Sequence, residues 1–556
     1  MKNKLFIDCG AHCGESILEA KKRYGDDIKI ISFEANPNLA IPLQKHFKDD
    51  PNVEIRNEAV WVENKDFTNF YLSIDWSDGS SIYKEKTSGG ISDNISVSIP
   101  SINISEFISE IKQDNYLILK LDVEGAEYEI LNHLIDENII PLIDEFHGEF
   151  HPDKIDRPEL KDLESKIFQH FNVNHIKFYN WELVGDQPKA INRNIWKNNY
   201  NIKPITFVIP SRNNLEFLQL AYKSIKNLKG NHEILVLNDA STDGTKEWID
   251  SQNDENLIVH HNPGPERIGI VGMFDKGIEM ARTDIIMAYH ADMVAAPNLD
   301  EHILKHLKKG TVVSATRVEP PLHPDGPEKM LVDFGIEVED FDMDKFNSWV
   351  LNEYKPKHGK LVTEGIFAPW CMYKEDFLAI GGHDELFAPQ SKEDSDIFNR
   401  FVLNGYKVLQ TWEGLVYHFT SRGSRFNKHA GGAAGKNSDE WLQTTTTNMK
   451  KFIKKWGTPV QHDAFMKPII SPVYKKSVII NNTNPQLTET LEPWFNDDDL
   501  AYQDIIVEVD GNKFSNEDFQ IIQKLNDIIK DSGEIGEFEL GNLKITINSL
   551  TEYQND

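Results

Sequence analysis

Short apolar runs that end in an acid recur along this chain. Leu5-Phe6-Ile7 runs into Asp8, and Ile28 to Phe33 runs into Glu34. Leu117-Ile118-Leu119-Lys120-Leu121 ends in Asp122, and Glu233-Ile234-Leu235-Val236-Leu237 ends in Asn238-Asp239. Ile285-Ile286-Met287-Ala288-Tyr289 breaks off into His290-Ala291-Asp292, before a loop opened by Pro297. Near-continuous apolar runs of this length predict strands buried on both faces. Stretches of helical period lie between them, among them Leu215, Leu218, Tyr222 and Ile225, and later Ile397, Phe398 and Phe401. Strands alternating with helices predict an α/β protein with doubly wound sheets. Ligands in such sheets collect beyond the carboxyl ends of the strands, so the acids there are the first candidates for chemistry.

The pattern lapses from Asp186 to Lys203, which reads as a linker. The expected division is 1–198, 203–465 and a small α+β module over 470–556. In the last, Asp504 to Val509 alternates like a strand, and Asp497-Asp498-Asp499 reads as a solvated loop. Ser515-Asn516-Glu517-Asp518 resembles a capping box before a helix carrying Phe519, Ile522, Leu525 and Ile529. Glu537 to Leu540 and Leu543 to Ile547, joined at Gly541-Asn542, predict a hairpin.

Composition narrows the function classes. The chain has 556 residues, of which 39% are hydrophobic, ordinary for a globular protein and enough for several cores. No run approaches the roughly 18 apolar residues of a membrane span. Three cysteines imply no disulfide framework and a reducing, cytoplasmic setting; Cys9 and Cys13 read as small buried residues, without the second ligand pair of a zinc site. A formal net charge of −30 argues against nucleic acid or an anionic membrane as partner. A nucleotide must then be received by local donors or a metal.

In the first half, Gly10 and Gly14 allow a tight turn and close approach of a ligand, and Glu34 lies at the next strand end. An acid roughly 20 residues beyond a glycine turn suits a ribose hydroxyl pair. Asp8-x-Gly10-x-x-x-Gly14, Phe33-Glu34-Ala35-Asn36-Pro37, Ser80-Ser81 and Lys120-Leu121-Asp122-Val123-Glu124-Gly125-Ala126-Glu127 together resemble the FkbM-type methyltransferases over about residues 4–150. The resemblance implies a Rossmann-like domain that uses S-adenosylmethionine, with Asp8, Gly10, Gly14 and Glu34 at the cofactor. It also implies that Asp122 and Glu124 face the transferred methyl. Read without it, Asp122 and Glu124 equally suit a helix N-terminal pair. His147 and His151 are candidate substrate contacts or structural histidines.

In the second half, a strand ending at Pro210 leads into Ser211-Arg212-Asn213-Asn214, and Asn238-Asp239-Ala240-Ser241-Thr242-Asp243-Gly244-Thr245 follows the next strand. Asp239 is placed to hold a nucleoside, and Asp292 to hold a divalent cation against a phosphate. These segments, with Asn262-Pro263-Gly264, Arg267 and Gly269, resemble the family-2 glycosyltransferases of the GT-A fold. Where that family usually shows Asp-x-Asp, this chain has His290-Ala291-Asp292. The resemblance implies donor contacts from Pro210, Arg212, Asp239, Asp243, Arg267 and His290, a metal held by Asp292 with His418, and Asp394 as general base. Mn²⁺ suits the histidine better than Mg²⁺. Gly381-Gly382-His383-Asp384-Glu385 and Ser391-Lys392-Glu393-Asp394 fall in the acceptor half, with Asp384 and Glu393 as acceptor contacts. Glu393 and Asp394 also suit a helix cap, and Trp370 a sugar platform or core. Arg422 and Arg425 are candidates to neutralise a departing diphosphate, and Gly431 to Gly435 a loop that closes over the donor.

The sequence thus predicts a bifunctional transferase of glycan biosynthesis. One half moves a sugar, inverting, from a nucleotide sugar (a uridine diphosphate sugar by expectation) to a glycan or glycoconjugate hydroxyl, and the other methylates. The arginine-and-tryptophan motif of processive synthases is absent, which implies single-sugar transfer. The rival readings are a non-catalytic nucleotide- or glycan-binding protein, and a chain with one active domain.

Overall fold

The computed structural model describes residues 3–73, 79–84, 86, 91–112, 115–150, 159–173, 177–181, 188–191, 201–423, 425–482, 484–496 and 503–552. His151, Asp497 to Asp499 and most of the expected linker lie outside them. The chain forms two compact units, Met1–Lys203 and Pro204–Asp556. The described parts of the expected linker belong to the first unit: Ala190 donates its N–H to Cys13, and Asn201–Ile202 pairs with Ile95 and Ser96.

The first unit is built on six parallel strands, β1 (Lys4–Cys9), β2 (Lys29–Phe33), β3 (Val53–Arg56), β4 (Tyr116–Leu121), β5 (Glu145–Gly148) and β6 (Lys177–Asn180). Their order is β3-β2-β1-β4-β5-β6, so the order reverses between β1 and β4. The switch point opens a crevice at the carboxyl ends of those two strands. Helix α1 (Glu15–Tyr24) starts at Gly14, whose φ of 86° suits glycine, and α2 (Glu127–Asp136) follows β4. Both start just beyond the crevice. A smaller sheet of Ala59–Trp61, Lys65–Ser73, Ile91–Asn103 and Asn201–Ile202 completes the unit.

The second unit carries β7 (Ile205–Ser211), β8 (Glu233–Asp239), β9 (Leu257–Asn262), β10 (Ile285–Ala288), β11 (Met293–Ala295), β12 (Thr311–Glu319), β13 (Trp370–Tyr373) and β14 (Lys407–His418). They run in the order β9-β8-β7-β10-β13-β12-β14-β11. Strands β7 to β10 are parallel; β7, β8 and β10 are mostly apolar and buried, as the sequence pattern predicts, while β9 ends in His260-His261-Asn262 and is only half-buried. The loop expected after Asp292 contains a strand instead: β11 pairs antiparallel with β14, setting Met293 opposite His418. Four helices matter for the site: α3 (Leu215–Lys226), α4 (Thr245–Asp250), α5 (Glu393–Leu403) and α6 (Asp439–Trp456).

The C-terminal part has a separate four-stranded sheet of β15 (Lys476–Asn481), β16 (Ile505–Asp510), β17 (Gly536–Leu540) and β18 (Leu543–Ile547), ordered β15-β16-β18-β17. The β17–β18 hairpin forms, and Ser515 and Asp518 make the capping box. The helix expected after it is broken in two, Asn516–Gln523 and Leu525–Ser532. Its core takes in Ile453 and Met449 of α6, so this sheet packs directly on the helix before it.

Candidate active sites

In the first unit a cavity of about 580 Å³ opens at the switch point, lined by Gly10, Glu34, Asp122 and Glu124 among others. A Cβ on Gly10 would stand 1.9 Å from the Asp122 carbonyl, so only glycine lets β1 and β4 diverge there. Glu34 is buried, and its carboxylate accepts from the N–H groups of His12 at 2.7 Å and Asn36 at 2.8 Å. Burial raises its pKa to about 7, against these hydrogen bonds and the influence of His12 and Lys120. Glu124, at φ 57°, pairs at 2.5 Å with the buried Lys86, and its carbonyl accepts from Ser81. Ser80 lines the same cavity.

Two residues expected at the cofactor, Asp8 and Gly14, and one candidate substrate contact, His147, are engaged within the fold. Asp8 does not line the cavity; its Oδ2 accepts from Ser16 at 2.6 Å and Ser32 at 2.5 Å, and its Oδ1 is 3.3 Å from Lys120 Nζ. Burial opposes the Lys120 ammonium, but Asp122 and Asp8 outweigh it and hold Lys120 above its usual range. Lys120 also donates to the Gly10 carbonyl at 2.6 Å, so Asp8 shapes the glycine turn through Lys120. Gly14 packs towards Leu43 and Ala190. His147 is bonded to Tyr24 and Glu145 and stacked on Tyr179, a structural histidine.

In the second unit a cavity of about 400 Å³ gathers Pro210, Arg212, Asp239, Arg267, His290, Asp292, Glu393, Asp394 and His418 in its lining. The Asp239 carboxylate lines the cavity and also accepts from Asn262 at the end of β9 at 2.7 Å, Ile268 N–H at 2.9 Å and Gly269 N–H at 2.8 Å. Arg212 donates to its carbonyl at 3.1 Å.

One ligand atom each from His290, Asp292 and His418 lie within 4.8 Å of one another, a grouping able to hold a cation. The β11–β14 pairing produces it, with the Phe419 N–H donating to the Asp292 carbonyl at 3.0 Å. Burial lowers the His290 pKa, which keeps a lone pair free on the imidazole. His418 Nδ1 is 3.1 Å from Glu319 Oε1, leaving Nε2 towards Asp292 at 3.7 Å. Such a carboxylate behind a histidine fixes the ring and raises its basicity. Burial would raise the Glu319 carboxyl, yet Arg317, His418 and Lys329 hold it well below the usual range. Arg317 and Lys329 each bond it at 2.8 Å.

Helix α5 brings Glu393 and Asp394 of its first turn to the cavity. Glu393 is buried, and its Oε2 has no hydrogen-bond partner among the described residues. Burial first, then the Asp394 charge, pushes its pKa up to about 8. Helix α6 holds the approach to this turn: Asn448 donates to the carbonyls of Phe387 and Gln390 at 2.8 Å and Ser391 at 3.1 Å. Trp456 Nε1 bonds Asp396 at 2.8 Å.

Four expected site residues lie elsewhere. Asp243 bonds Thr245 and the N–H of Leu215, tying α3 to α4 away from the cavity. Trp370 is 1% exposed and packs against Phe377 and Phe401, so it is core and not a sugar platform. Asp384 caps a short turn and pairs with Lys455 at 2.7 Å, off the cavity. The Arg422 guanidinium is buried, bonded to Glu337 and the Ile336 carbonyl; only its backbone N–H serves the site, donating to Asp292 at 2.7 Å. Arg425 is engaged with Asn437 and the face of Trp441. The Gly431–Gly435 stretch folds as a tight turn in which Ala433 and Lys436 exchange hydrogen bonds. Sequence reasoning missed Lys86, Glu319, Asn448, Trp441 and His462, of which Trp441 and His462 line the cavity. Glu319 carried a signal, since β12 too ends in an acid.

Two family models match the chain, one within each unit. Residues 8–178 match the family model of the methyltransferase FkbM domain, and residues 206–359 that of glycosyl transferase family 2. Over 117 residues, 20% of this chain and 48% of the relative, the chain is 27% identical to undecaprenyl-phosphate mannosyltransferase of Micrococcus luteus. A crystal structure of GalNAc-T7 with UDP, GalNAc and Mn²⁺ matches with a TM-score of 0.33 at 13% identity, over 46% of this chain and 51% of that one. The chain spans about half the length of each of these relatives. Among the described residues no helix is long and apolar enough to cross a membrane.

Proposed function

We propose that the chain joins an FkbM-type methyltransferase domain to a family-2 glycosyltransferase domain, as a metal-dependent inverting sugar transferase that also methylates with S-adenosylmethionine. The observation that carries the sugar-transfer reading is the His290–Asp292–His418 group in one cavity with Asp394. The donor set fits a divalent transition ion, since two imidazoles with one carboxylate favour Mn²⁺ over Mg²⁺. Such an ion supplies Lewis-acid stabilisation of a leaving diphosphate. Asp239 and Arg212 receive the nucleoside end, for which a uridine diphosphate sugar is the proposed donor, and Arg267 lines the same cavity. Asp394 takes the proton from a glycan hydroxyl. The freed oxygen bonds to the anomeric carbon as the bond to the diphosphate breaks.

In the first unit the cavity fits S-adenosylmethionine. Glu34 offers a buried carboxylate to ribose hydroxyls, and Gly10 permits close backbone approach. The cofactor supplies an activated methyl when bound. Asp122 and Glu124 orient the incoming nucleophile, with Lys86 fixing Glu124.

The test of the sugar-transfer site is a thermal shift on the full chain with UDP and Mn²⁺. Binding at a hundredfold excess over the dissociation constant should stabilise by about 2.7 kcal/mol. EDTA should abolish most of that shift; a shift untouched by EDTA contradicts the metal role of His290, Asp292 and His418.

A further inference from the structure

Glu393 is set as few acids are. It is 7% exposed, lines the sugar-transfer cavity, and its Oε2 has no hydrogen-bond partner among the described residues. An ionised carboxylate in that position would bury a charge beside a second acid with one oxygen left without a donor, which is costly. A neutral carboxylic acid avoids that cost and gains a donor, the O–H on the unpartnered oxygen.

Resting on the sugar-transfer reading above, we propose that Glu393 works as a neutral acid that donates a hydrogen bond from Oε2 to a hydroxyl oxygen of the bound acceptor sugar, leaving Asp394 to serve as the base. The ligand class follows from the pairing. A polyol presents each hydroxyl as donor and acceptor at once, so one hydroxyl gives its proton to Asp394 while a neighbouring oxygen accepts from Glu393. A positively charged acceptor would favour two ionised acids instead. Trp441 and His462, on α6 and the segment after it, line the same cavity and give the sugar an aromatic wall.

The protonation state has identifiable causes. Burial and then the Asp394 charge raise the Glu393 pKa to about 8, against the backbone N–H groups of Glu393 and Ser391 and the charge of Lys392. The other titratable groups of the cavity are His290, Asp292, His418 and His462, alongside Asp239 and the fixed charges of Arg212 and Arg267. Because the folded pKa lies above the unfolded 4.5, the neutral form stabilises the fold at low pH. That contribution fades as pH rises through about 8.

The experiment uses the full chain and whichever nucleotide sugar and acceptor glycoside give turnover in a panel. The wild-type profile of kcat/KM should fall on an alkaline limb near pH 8. Glu393→Gln, which keeps a donor at every pH, should lose that limb and retain more turnover than Glu393→Ala, which forfeits about tenfold, the worth of one hydrogen bond. The Gln variant should also melt above the wild type by a margin that widens with pH. An unchanged limb, a Gln variant as impaired as the Ala variant, or a constant melting margin overturns the assignment while leaving the transferase standing. No turnover by the wild type with any pair overturns the functional reading, and this assignment with it.

Discussion

At the scale of single residues, chemistry in both units turns on carboxyl groups whose surroundings differ. Glu34, Glu393 and Glu319 are all buried, yet the first two are pushed up and the third down. The difference is the company they keep. Glu319 has Arg317, Lys329 and His418 in contact, whereas Glu393 has a second acid as its neighbour. Glu34 accepts from the backbone N–H groups of His12 and Asn36, and burial outweighs these together with the charges of His12 and Lys120. On the proposed reading, calorimetry on the full chain should find S-adenosylmethionine binding that Glu34→Ala weakens by about 1.5–3 kcal/mol, the range for hydrogen bonds to a charged group. The ionised form accepts from ribose hydroxyls, so wild-type affinity should climb as pH rises through about 7, and Glu34→Gln should flatten that climb. Affinity indifferent to Glu34→Ala contradicts the ribose role.

At the scale of elements, the strand-end acids were legible because they sit one to three residues beyond an apolar run, and a local pattern reports local geometry. Glu34, Asp122, Asp239 and Asp292 could be placed at sheet ends in this way. Residues that depend on pairing between distant segments could not. His418 meets Asp292 because β11, a three-residue strand read from sequence as loop, pairs with β14. The same limit explains the misassigned residues. Arg422 and Asp384 stand in polar, motif-rich stretches, but Glu337 and Lys455, 85 and 71 residues away, claim their side chains. Asn448 is the strongest case of a missed residue: three carbonyls before α5 depend on one side chain from α6. Asn448→Ala strands those buried acceptors and should cost about 1–3 kcal/mol on denaturant unfolding. It should also slow sugar transfer by loosening the turn that carries Glu393 and Asp394. Unaltered stability would show that the three bonds are dispensable.

At the scale of the whole molecule, two units each place a cavity at the carboxyl ends of parallel strands, and each cavity is ringed by the acids that the sequence pattern exposes. The net charge of −30 suits neither cavity to an anionic ligand by field alone, so the proposed nucleotide would depend on Arg212, Arg267 and the proposed cation at His290, Asp292 and His418. The central claim is that the second unit transfers a sugar, and Asp394 is the residue on which transfer and mere nucleotide binding part. Asp394→Asn keeps the size and most of the capping ability of the side chain but cannot accept a proton. The direct measurement is therefore the transfer rate of that variant beside its melting temperature and its UDP–Mn²⁺ affinity. Turnover should fall by about 10²–10⁴-fold, as for loss of a general base, while melting and affinity stay near wild type. Transfer at a near-normal rate would contradict the account and reduce Asp394 to a helix cap.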